Sequence, residues 1–78
     1  MQITQKQVAN QLQAFLDRRI NLHVLAKWCK DAMMEGEFEE AHFDQLREAV
    51  SRIGLADVEG FGLSRTDFTN YLNAFKNS

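Results

Sequence analysis

The sequence predicts an all-α domain, four short helices forming two helix-loop-helix halves. Three observations predict it. Proline is absent from all 78 residues, so nothing interrupts a helix from within. Apolar residues recur every three or four positions along four stretches, the spacing of one helix face. Three helix starts also share one pattern, an aliphatic residue, a hydroxyl or amide cap, and an apolar residue four positions past the cap. They are Ile3-Thr4 with Val8, Ile20-Asn21 with Leu25, and Leu63-Ser64 with Phe68.

The first helix is expected from Gln5 to Asp17, with Gln7 completing a capping box on Thr4 and with Val8, Leu12, Phe15 and Leu16 forming its buried stripe. The second is expected from Leu22 to Glu35, burying Leu25, Trp28, Cys29 and Ala32, and stopping at Gly36 in a left-handed conformation. The third carries the stripe Phe43, Leu46, Val50 and Ile53. It has no clear cap, and Gly54 ends it, with Val50 and Leu55 spaced for a Schellman contact. The fourth presents Phe68, Tyr71, Leu72 and Phe75 on one face, and these are expected to share a core with Trp28. Residues 1–78 read as one small helical domain, near the lower size at which side-chain burial alone sustains a fold.

Composition is that of a globular protein, 45% hydrophobic and 26% charged, which disfavours disorder and fibrous classes. Cys29 is the single cysteine, so no internal disulfide can form, as suits a reducing compartment. No apolar run approaches a membrane span and the polar start from Met1 to Lys6 lacks a signal-peptide core. A cytoplasmic protein of bacterial type is expected.

The net charge of -2 hides an asymmetry. Met1 to Lys30 carry five basic side chains against one acidic, a balance of +4, whereas Asp31 to Ser78 carry four against ten, a balance of -6. An acidic surface steers basic partners and repels phosphates. Glu35, Glu37, Glu39, Glu40 and Asp44, extended by Asp57 and Glu59, are therefore the candidate partner-binding residues.

No catalytic constellation accompanies them. Cys29 sits beside Trp28 on a buried stripe, where a thiol acts as a small inert hydrophobe. His23, Cys29 and His42 lack close ligand spacing and a fourth ligand for zinc. The pairs Glu37 with Glu39 and Asp57 with Glu59 come without a phosphate cradle or a pocket-forming strand. The expectation is a non-enzyme without cofactor or metal.

Between the third and fourth helices, Asp57, Glu59, Gly60, Phe61, Gly62, Leu63 and Asp67 resemble the loop of a degenerate EF-hand. Phe61 stands where an oxygen ligand belongs, one loop residue is missing, and Asp67 is shorter than the usual final glutamate. The resemblance implies an EF-hand-like or orthogonal arrangement of the halves without calcium, with the turns at Asp17 to Asn21 and Gly60 to Ser64 in equivalent places and Ile20 beside Leu63. The stretch Phe15-Leu16-Asp17-Arg18-Arg19-Ile20-Asn21-Leu22, followed by Leu25, Ala26 and Trp28, resembles short stand-alone bacterial helical proteins of toxin-immunity type, with Arg18 and Arg19 where a glycine would be usual. That resemblance implies a protein-binding module whose acidic face covers a basic toxin or nuclease. The alternative is a small DNA-binding helix-turn-helix regulator using Arg18, Arg19, Lys27 and Lys30.

Overall fold

A computed structural model describes residues 2–76. Its four helices are α1 (Gln5–Leu16), α2 (Leu22–Glu35), α3 (Phe43–Gly54) and α4 (Arg65–Lys76), and two-residue strands β1 (Gln2–Ile3) and β2 (Glu37–Phe38) flank the first two. The chain is mostly helical, as its sequence predicts. No helix among the described residues is long and apolar enough to cross a membrane.

Local chemistry sets the helix starts. The Thr4 hydroxyl accepts from the Gln7 N–H while the Gln7 side chain accepts from the Thr4 N–H, closing the expected capping box. Asn21 Oδ1 accepts from the Val24 N–H at the head of α2. Ser64 and Asp67 form a second reciprocal box at the head of α4, so Asp67 serves as a cap. No side chain caps α3, which instead continues from a 3₁₀ turn over Glu40–His42.

Three expectations about helix ends and stripes need correction. Gly36 does close α2, but with φ -87° and ψ 154° it is extended and not left-handed. It is a glycine for another reason: a Cβ there would stand 2.5 Å from the Ala32 carbonyl oxygen and 2.6 Å from Ile3 Cγ1. Gly54 is the last residue of α3, as expected, but it does not turn the chain: the cap that follows, Leu55, is αR, and Gly54 is buried beside Cys29 and Lys30. The Schellman motif expected there lies instead at the end of α1. Arg18 takes φ 64°, its N–H donates to the Phe15 oxygen, and the Arg19 N–H reaches back to Ala14 at 2.9 Å, the two bonds that define the motif. Finally, Phe43 leaves its stripe: it is 44% exposed and meets the Phe38 ring edge-on at 6.0 Å, while Ala49 joins Leu46, Val50 and Ile53 inside.

The two halves follow one another in sequence, but the packing runs across them. The main partner of α1 is α4, and that of α2 is α3. Both pairs are antiparallel. Arg65 at the head of α4 donates to the Leu16 carbonyl at the tail of α1. Asp57, just past the tail of α3, lies 3.6 Å from His23 in the first turn of α2, while Asp44 near the head of α3 shares a surface hollow with Met33 in the last turn of α2. Ile3, Leu12, Leu25, Leu46, Val50, Ile53, Phe68, Leu72 and Phe75 form one buried cluster, with Trp28, Tyr71, Phe15 and Leu16 half-buried around it. Among the described residues no buried side-chain polar atom lacks a partner. The strand pair is parallel, with Gln2 opposite Glu37 and Ile3 opposite Phe38, so backbone pairing joins the start of the chain to the α2–α3 connection and not the two turns. Ile20 and Leu63 each rest half-buried on the core.

Candidate partner-binding surface

The antiparallel α2–α3 pair puts its acidic connection at one end of the molecule. Glu35 is the last residue of α2, Glu37 lies in β2, Glu40 opens the 3₁₀ turn and Asp44 sits in the first turn of α3. All four are exposed, and among the described residues none has an ion pair or a side-chain hydrogen bond. Asp44 complements the positive end of the α3 dipole, but Glu35 stands at the negative end of α2, where a carboxylate is unfavourable. Glu39 differs from its neighbours. Its Oε1 accepts from the Gln5 N–H at 3.1 Å, satisfying a free donor in the first turn of α1, so it helps hold the fold together.

Asp57 and Glu59 are not part of that cluster. They follow the tail of α3, and Asp44 lies near its head, the helix being 12 residues and so about 18 Å long. Asp57 is, moreover, occupied: Lys30 Nζ approaches its oxygens at 2.9 and 3.3 Å, His23 Nδ1 lies at 3.6 Å, and its side chain is only 18% exposed. Of the seven candidate residues, the structure gathers Glu35, Glu37, Glu39, Glu40 and Asp44 at one end and sets Asp57 and Glu59 apart.

Sequence spacing did not reveal two apolar side chains beside the acidic group. Met34, in the last turn of α2, is 81% exposed, and Phe43 opens α3. Val24, Leu55, Val58 and Phe61 are also exposed, away from the acidic end, but Met34 is the most exposed of the six, and an uncovered apolar side chain beside a charged group is the kind of feature that contact surfaces carry. The Met33-Met34-Glu35 sequence carries a hint of it, since only one of two successive methionines on a helix can face the core.

The hydrogen bond from Lys30, followed by its charge, holds the Asp57 carboxyl below its ordinary value of 3.8. Backbone donation from Ser64 does the same for Asp67. Depressed folded-state values mean that both groups stabilise fully above the carboxylate range of the unfolded chain and lose that contribution as pH falls through the folded values. Asp57→Asn should therefore lower the melting temperature at neutral pH, with the gap to wild type closing below about pH 4; thermal melts across that range read it directly. An equal gap at every pH would show that the Lys30 charge contributes nothing.

Cys29 is buried, and desolvation pushes its thiol up to about 12, so it stays protonated at neutral pH. Among the described residues no three of His, Cys, Asp and Glu come close enough to hold a metal ion. The basic side chains of the first half are mostly engaged: Arg19 lies 3.6 Å from Asp17, Lys27 3.1 Å from Asp31, and Lys30 bonds Asp57. Such exposed pairs contribute little stability, but each cancels a charge that a phosphate would need. Arg18 alone of the four residues proposed to face DNA has no such partner among the described residues. No protein family, curated protein or solved structure matches this chain.

Proposed function

We propose that the chain is a non-enzymatic protein-binding module that captures a basic partner through the α2–α3 end, in the manner of an immunity-type inhibitor of a basic toxin or nuclease. One observation supports this reading above the others: four carboxylates without an ion pair among the described residues, Glu35, Glu37, Glu40 and Asp44, sit with the exposed Met34 and Phe43 at one end of a helix pair. Apolar anchors inside a charged rim are the anatomy of a protein interface, the anchors giving affinity and the rim giving approach rate and choice of partner. Glu35 adds weight, since its position opposes the helix dipole and local stability does not account for it.

The test reverses charge without touching the fold. Glu39 must be left alone because it bonds Gln5, so the variant is Glu35→Lys, Glu37→Lys and Glu40→Lys. The wild-type chain should form a salt-sensitive complex with a basic protein encoded beside it and suppress that protein's toxicity on co-expression. The triple variant, folded by circular dichroism, should bind on the order of 100-fold more weakly, mostly through slower association. Retention of the same partner with unchanged affinity would reduce the acidic end to a solvated connection.

A further inference from the structure

The opposite end of α2 carries a different surface. The tail of α1, the head of α2 and the head of α4 form an open groove of about 540 Å³ whose lining includes Phe15, Arg18, Arg19, Ile20, Leu22 and Arg65. We propose that this groove binds a small organic oxyanion, a carboxylate or phosphate monoester carried on an apolar body.

Its chemistry is divided between rim and wall. Three guanidinium groups supply planar forks of N–H donors suited to carboxylate and phosphate oxygens, while half-buried Phe15, Ile20 and Leu22 offer an apolar bed. One carboxylate competes, Asp17 at 3.6 Å from Arg19. Arg65 gives a single bond to the Leu16 carbonyl and keeps its other donors, and Arg18 has no side-chain partner among the described residues. The volume is that of a small-molecule site. The chain's overall negative charge works against long polyanions but is a weak obstacle to a short one, since repulsion beyond the nearest charges is screened.

Arg18 strengthens the case. It occupies the left-handed position of a Schellman motif, where glycine fits without strain and a residue with a Cβ crowds the following carbonyl oxygen. An arginine is thus kept in an unfavourable backbone conformation at the lip of a groove, the kind of outlier from which a functional role is properly inferred. Stability and binding should accordingly separate at this residue.

The experiment titrates the labelled full chain with phenyl phosphate, 3-phenylpropanoate and inorganic phosphate, following amide signals by NMR. The two aromatic anions distinguish a phosphate ester from a carboxylate source. At least one should shift the amides from Arg18 to Leu22 and that of Arg65 saturably at millimolar concentration, and more tightly than inorganic phosphate. Arg18→Gly should weaken that binding about tenfold, with a melting temperature equal to or above wild type. The proposal is overturned if none of the probes saturates, if inorganic phosphate binds as tightly as the better aromatic anion, or if Arg18→Gly binds unchanged. It is also overturned if a duplex DNA fragment occupies the same residues more tightly than either small anion.

Discussion

Phe68→Ala is expected to cost about 3 to 5 kcal/mol, comparable with the whole stability of a domain this small. Phe68 is the first buried residue of α4, and its ring sits 4.8 Å from that of Phe15 at a tilt of 59°. Truncation removes the transfer free energy of the ring, leaves a void between α1 and α4, and deprives Phe15 of its aromatic partner. The backbone there cannot close inwards easily, since Arg65 holds α4 to the Leu16 carbonyl three residues earlier. Denaturant titration followed by circular dichroism checks the figure. A loss under about 1 kcal/mol would mean that the α1–α4 seam is not the main contact of either helix.

Gly36→Ala is expected to cost about 1 to 3 kcal/mol, the range for forcing an extra carbon into a packed site. The unusual point is the size of the side chain that does this damage, a single methyl. Its two closest neighbours are the Ala32 oxygen, which already accepts the Gly36 N–H at 2.8 Å, and the fully buried Ile3. Neither is the loose end of a flexible side chain, so the backbone must move, and β1 moves with it. Amide exchange at Glu39, whose N–H donates to the Ile3 oxygen, should accelerate more than exchange in α4. Equal acceleration everywhere would argue for a global loss without local release of the strand pair.

Helix content and helix starts were legible because they are local. Thr4 with Gln7, Asn21 with Val24, and Ser64 with Asp67 are contacts over three residues, and a cap is decided by the residues that form it. The tails were misread where the deciding contact comes from elsewhere. Gly36 reads as a stop because glycine at a helix end is usually left-handed, yet Ile3, distant in sequence, is what requires the absence of a Cβ. Arg18 hid the true left-handed turn for the opposite reason, because arginine is a poor marker for it, and the only trace was an arginine where the resembled proteins place glycine. Of the candidate surface, the clustering of Glu35 to Asp44 follows from their adjacency in sequence. The engagement of Asp57 with Lys30 and of Glu39 with Gln5 depends on tertiary packing, and neither pairing leaves a signal in spacing.

Packing α1 against α4 has a consequence for synthesis. The apolar stripe of α1 is complete once Leu16 has been added, but the helix that covers it is not finished until Lys76. At a ribosomal rate of roughly 5 to 20 residues per second, that stripe waits several seconds for its cover, whereas α2 and α3 can close on each other sooner. The α2–α3 pair is therefore the first of the two main helix pairs that synthesis completes, and α1 has only its lesser contacts with α2 and α3 until α4 is made. Codon choice between the two helices, which alters no contact in the finished protein, sets how long that apolar face is available to other molecules.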